Sequence, residues 1–147
     1  MKKALAASIV VSIFIAQPVL AKPDVNPEIS SADELQLDKI SDTLFANIQA
    51  GKTDAGIRQF FGNSSLMASK SAQLAMLVSQ IDSAIAIYGK IGSCEKIETI
   101  TKGSLVEYRT YTCRHANMLT SWTIAFFKTS NGWIAGNLFF KDQPGQP

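Results

Sequence analysis

The hydrophobic pattern of this chain changes period once, at Gly89. Upstream, Leu37, Ile40, Leu44 and Ile48 recur at three- and four-residue steps with Phe45 beside them, the stripe of an amphipathic helix. Downstream, Thr, Val, Ile, Tyr, Phe and Trp dominate and turn signals come at short spacing, which is the grammar of strands. A run of helices followed by a run of strands predicts an α+β domain rather than alternating βαβ units. The reading is three N-terminal helices packed on a curved four-stranded antiparallel sheet.

The helix boundaries follow from local chemistry. Ser31 and Glu34 have the spacing of a capping box, which satisfies two orphan N–H groups. Gly51 suits the left-handed position just beyond a helix. A short second helix is expected from Thr53, with Ile57, Phe60 and Phe61 facing inward and Gly62 ending it. Asn63-Ser64-Ser65 opens a long third helix carrying Leu74, Leu77, Val78, Ile81, Ile85 and Tyr88 on one side, with Gly89 at its end. The strands read as 94–101, 105–114, 119–129 and 133–141. Asn131-Gly132 has the signature of a type I′ hairpin.

The two cysteines suggest a register. With the first turn centred between Gly103 and Ser104, Cys94 falls opposite Cys113, and Glu98 falls opposite Arg109. Facing Cα atoms about 4.5–5.5 Å apart are within reach of a disulfide. Such a bond would stabilise the fold by roughly 3 kcal/mol, less any strain. A redox-active pair is the other reading, but there is no C-x-x-C spacing to support it.

In the second hairpin the same logic sets Ile124 opposite Phe139 and Phe126 opposite Asn137. Alternation then puts Trp122, Ile124, Phe126, Ala135 and Phe139 on one face. Ala125, Phe127, Ile134, Leu138 and Phe140 fall on the other. An antiparallel sheet with one wet side should alternate apolar and polar residues, and these strands do not. The second apolar face must be curled into the core, line a cavity or meet a partner.

The first residues read as an address. Met1-Lys2-Lys3 is a cationic start, residues 4–16 are uncharged and rich in Ala, Ile, Val and Phe, and Val19-Leu20-Ala21 has small-residue spacing. This is the layout of a secretory signal, residues 1–21, with cleavage expected between Ala21 and Lys22. The apolar run is shorter than the about 20 residues a spanning helix needs, so no membrane span is expected after cleavage. Residues 22–31 read as a flexible lead-in, 32–141 as one α+β domain and 142–147 as a loose tail. The expected location is the periplasm or the exterior, where a disulfide persists. Losing Lys2 and Lys3 brings the 14 basic residues to parity with the 12 acidic ones. That balance leaves no electrostatic footprint for nucleic acid.

Chemistry-bearing patterns are sparse. One His and two Cys make a zinc site improbable, and no metal or other cofactor is expected. There is no G-x-S-x-G, P-loop, H-E-x-x-H or calcium loop. His115 reads as a solvated turn residue. Arg109 is open to two readings, an anion ligand or the structural partner of Glu98. Trp122 and Trp133 are open to ligand stacking or plain packing. No residue is assigned a catalytic role.

Tyr88-Gly89-Lys90, the hairpin from Cys94 to Cys113 and the terminal KTSNGWIAGNLFFKD of Lys128 to Asp142 carry a resemblance. Over residues 32–141 the chain resembles the nuclear transport factor 2-like superfamily of cystatin-like α+β proteins, especially its small exported bacterial members. The resemblance implies a curved sheet wrapping a long helix, often a conical pocket, and often dimerisation through the open sheet face. Fold alone does not license an activity.

The expected function is a non-enzymatic, exported interaction module. It uses an apolar sheet face for a protein partner or a homodimer. The candidate residues are Tyr108, Tyr111, Trp122, Ile124, Phe126, Asn137 and Phe139. A pocket for a small apolar ligand is the alternative, and an isomerase- or dehydratase-type enzyme a more distant one.

Overall fold

The computed structural model describes residues 29–142. The expected signal, its Ala21–Lys22 cleavage point, most of the lead-in and residues 143–147 lie outside them. Four helices precede four strands: α1 (Ser31–Gln49), α2 (Thr53–Phe60), α3 (Ser65–Ala68) and α4 (Ser71–Tyr88), then β1 (Ile91–Lys102), β2 (Val106–His115), β3 (Leu119–Thr129) and β4 (Gly132–Lys141). The strands form one antiparallel sheet in the order β1-β2-β3-β4. The α+β class holds, with four helices rather than three. The expected long third helix is interrupted at Ser69–Lys70, so that Ser64 caps a single-turn α3 through Met67 N and α4 begins anew at Ser71.

Helix α1 is capped one residue earlier than expected. The Ser30 side chain accepts from Asp33 N, so the box at Ser31–Glu34 does not form, and the Glu34 carboxylate is used elsewhere. The far end closes as expected. Gly51 takes φ +73°, Gly51 N donates to Ile48 O, and Lys52 N donates to Asn47 O. Those two bonds define a Schellman motif. Leu37, Leu44, Phe45 and Ile48 are buried. Ile57, Phe60 and Phe61 join them from the second helical segment.

The helices cover one face of the sheet. Phe45 packs on Tyr111 and edge-on to Trp122, with ring centroids 5.0 and 5.7 Å away. Trp122 stacks on Phe140 at 4.8 Å. Phe60 reaches Phe126. Burying each large apolar side chain stabilises the fold by about 1.5–3 kcal/mol, so this layer holds the two halves of the chain together.

Two bulges revise the expected register. Cys94 does face Cys113, and their sulfurs are bonded. But the first loop spans three residues, with Lys102 opposite Val106, and a bulge at Ile97 then shifts the pairing by one. Glu98 therefore faces Thr110, and Arg109 faces Thr99. A one-residue slip turns a side chain to the other face, so the expected Glu98–Arg109 pair is replaced by charges on opposite sides of the sheet.

The second hairpin turns one residue earlier than expected. Thr129 pairs with Gly132, leaving Ser130 and Asn131 as the loop. A type I′ turn needs two successive positive φ values. Here Gly132 has φ +108° and no non-glycine residue has a positive φ among those described. The Thr129 hydroxyl closes the loop instead, donating to Gly132 O and accepting from Asn131 N. A bulge at Gly136 adds a second shift. Ile124 consequently faces Leu138, and Phe126 faces Ala135. Leu138 and Phe140 move to the helix side, and Phe139 moves to the open side.

Candidate interaction surface

The corrected register sorts the candidate residues by face. Tyr111, Trp122, Ile124 and Phe126 are buried under the helices and belong to the core. Tyr108, Asn137 and Phe139 lie on the opposite face. The structure therefore divides the seven residues instead of gathering them at one site.

The face away from the helices can be read row by row across β1, β2, β3 and β4. Lys102, Val106, Phe127 and Ile134 make one row, and Ile100, Tyr108, Ala125 and Asn137 the next. Glu98, Thr110, Thr123 and Phe139 follow, then Glu95, Thr112, Ser121 and Lys141. One end is mostly apolar and the other is threonine- and serine-rich with charged edges. Phe139 is 60% exposed, Ile100 44% and Phe127 37%. Single exposed apolar residues are ordinary, but several on one uncovered sheet face are the pattern of a contact surface.

The phenyl ring of Phe127 covers Gly136. A Cβ at Gly136 would sit 2.1 Å from Phe127 Cε2, so only glycine leaves room for the ring. The bulge and the aromatic lid are thus one feature: the glycine bends β4 and the ring shields the bare backbone. Lys102 Nζ lies 5.2 Å from the Tyr108 ring centroid, a cation–π contact that caps the apolar end.

The inner face carries polar groups that the sequence pattern did not place. Arg109 is fully buried and ion-pairs with Glu107, which is fully buried beside it on the same strand. Its other nitrogens reach Glu34 Oε2 and Asp38 Oδ1 of α1, each at 2.6 Å. Lys96 Nζ joins Asp38 at 2.8 Å, and Lys128 Nζ joins Asp33 at 2.8 Å. Each of β1, β2 and β3 therefore gives one cation to the first turns of α1. Burial opposes the charge on Arg109, but the hydrogen bond and charge of the Glu107 carboxylate outweigh it and hold the pKa above its ordinary value. The anion that Arg109 binds is intramolecular.

His115 is also inward-facing, which corrects the solvated-turn reading. Nδ1 lies 2.7 Å from Gly89 O and Nε2 lies 2.9 Å from Thr120 Oγ1, which also accepts from Trp122 Nε1 at 2.7 Å. A neutral ring protonated on Nδ1 satisfies the whole chain: it donates to Gly89 O and accepts from the Thr120 hydroxyl. The residue ties the end of α4 to the sheet. Nearby, the Tyr88 hydroxyl donates to Asp142 Oδ2 at 2.9 Å.

No helix among the described residues is long and apolar enough to cross a membrane. No group of acidic, His or Cys residues among them is arranged to hold a metal ion. No protein-family model matches the chain, and it has no significant match among curated proteins or solved structures.

Proposed function

We propose that the protein is an exported, non-enzymatic interaction module that docks through the open face of its sheet. The observation that carries this reading is the exposure of Ile100, Phe127 and Phe139 on one uncovered sheet face. Export is supported by the three-part pattern of residues 1–21 and by the Cys94–Cys113 bond, which suits an oxidising compartment. The order of helices and strands supports the nuclear transport factor 2-like resemblance. The bulges at Ile97 and Gly136 support a curved sheet. The inner face is filled by Phe45, Phe60, Trp122 and Phe126, which favours surface docking over a ligand pocket beneath the helices.

A second copy of the chain fits this face. Place two sheets face to face with the two-fold axis between them and parallel to the strands. Then β1 of one copy lies over β4 of the other and β2 over β3, so that Val106 meets Phe127 and Tyr108 meets Ala125, while Phe139 meets Glu98. The row containing Glu95 and Lys141 becomes self-complementary, with each carboxylate over the other copy's ammonium. Four strands about 4.8 Å apart and ten residues long give a plan area of about 600 Å². Side-chain relief raises the accessible area above that, toward the about 800 Å² per partner of a stable interface.

Light scattering over a concentration series tests the reading. The expected mass rises toward twice that of the monomer, and Phe139→Glu holds the protein at monomer mass with unchanged circular dichroism. A monomer at every concentration removes the second copy as occupant, and a F139E variant that associates like the parent removes this face.

A further inference from the structure

The cleft between α1 and α2 lies in the helix layer, away from the open sheet face. It encloses about 260 Å³. Its floor is apolar, formed by Ile40 and Leu44 of α1 and by Gly56 and Phe60 of α2. Gly56 sets one end: a Cβ there would approach Asn47 Cβ to 2.8 Å, so the glycine brings the helices together at that point. Asn47 Nδ2 donates to Gln59 Oε1 at 3.2 Å and to Thr43 O at 2.9 Å, closing the same end with hydrogen bonds.

The rim is polar and its charge has one sign. Gln36, Lys39, Thr43, Gln59 and Asn63 line it, and Lys39 is its sole ionisable residue. No carboxylate lines the cleft. Like several other surface lysines, Lys39 makes no ion pair among the described residues, so its ammonium is free to meet a ligand at the rim. The amides of Gln36 and Asn63 supply further donors and have no side-chain hydrogen bond among the described residues. An apolar floor with a few convergent polar groups is the general form of a small-molecule site. The volume lies just below the range of about 300–1,000 Å³ that takes drug-sized ligands, which selects a small one.

We infer that this cleft binds a small amphipathic carboxylate, its short apolar body on Ile40, Leu44 and Phe60 and its carboxylate at Lys39. The amides of Gln36 and Asn63 complete the hydrogen bonding at the mouth. Cationic ligands are disfavoured, because the Lys39 ammonium repels them and no acidic group lines the cleft. The site is separate from the sheet face, so either can fail without the other.

Hexanoate is the probe, with hexanol and hexylamine as uncharged and cationic controls of the same chain length. Amide chemical shifts of the purified protein are followed by NMR during each titration. Hexanoate is expected to give saturable shifts centred on Ile40, Leu44, Gly56, Gln59 and Asn63, and hexylamine none. Lys39 is exposed, so Lys39→Gln should fold normally and bind hexanoate about fivefold more weakly, the size of one half-exposed ion pair. No saturable shift, shifts centred on the open sheet face, equal binding of all three probes, or an unchanged affinity in K39Q overturns the inference.

Discussion

The ring of Phe127 lies across the backbone of Gly136, on the side of the sheet that the helices leave uncovered. Its partner's missing Cβ is what allows the contact. Gly136→Ala should push the ring off the bulge and destabilise the fold by about 1–3 kcal/mol, the usual penalty of overpacking. Urea unfolding checks this through the transition midpoint. The double variant Gly136→Ala with Phe127→Ala should be less destabilised than the sum of the singles, because the clash is then gone.

Arg109 and Glu107 form a fully buried pair, so removing one charge strands the other. Arg109→Met is expected to destabilise the protein by about 3–5 kcal/mol. Adding Glu107→Leu should recover part of that loss, since no unpaired carboxylate is then left in the core. Urea unfolding of the two singles and the double gives the coupling directly. Additive losses would contradict the pairing.

Asp38 gives the fold a dependence on acid. Burial pushes its carboxyl pKa up, but the hydrogen bond and charge of Lys96 and the charge of Arg109 prevail and hold it below the ordinary value. A group whose pKa is lowered by folding stabilises fully above its unfolded pKa. That contribution is lost as pH falls through the folded value. Thermal midpoints should therefore be insensitive to this group at neutral pH and fall below about pH 4. Asp38→Asn should lower the neutral-pH stability by about 1 kcal/mol, a modest figure because the side chain is partly solvated. It should also flatten the acid slope. Asp33 shifts in the same direction, chiefly through its hydrogen bond to Lys128, so some acid sensitivity should survive in the variant.

Much of the architecture was legible because periodicity reports burial directly. The stripe of Leu37, Leu44 and Ile48 and the β-rich run after Gly89 located the helices and the sheet. The Cys94–Cys113 pairing was also correct, although by compensation: the loop is one residue longer than expected and the Ile97 bulge restores the register beyond it. Bulges leave a weak mark on a sequence. Gly136 was such a mark, since an isolated glycine within a strand signals a bulge or a close approach. A bulge at that glycine places Phe139 on the open face. Arg109 was harder. Its partners Glu34 and Asp38 come from a helix remote in sequence, and no local spacing encodes that meeting. His115 sits at the very end of β2, where a one-residue difference in strand parity decides between water and core.

The most direct test of the open face is an NMR dilution series on the protein. Concentration-dependent shifts confined to Ile100, Val106, Tyr108, Thr123, Ala125 and Ile134 are expected, with the helix amides unmoved. Spectra that stay the same at every concentration, or shifts gathered on α4 around the exposed Met76 and Ile87, would contradict docking through the open face.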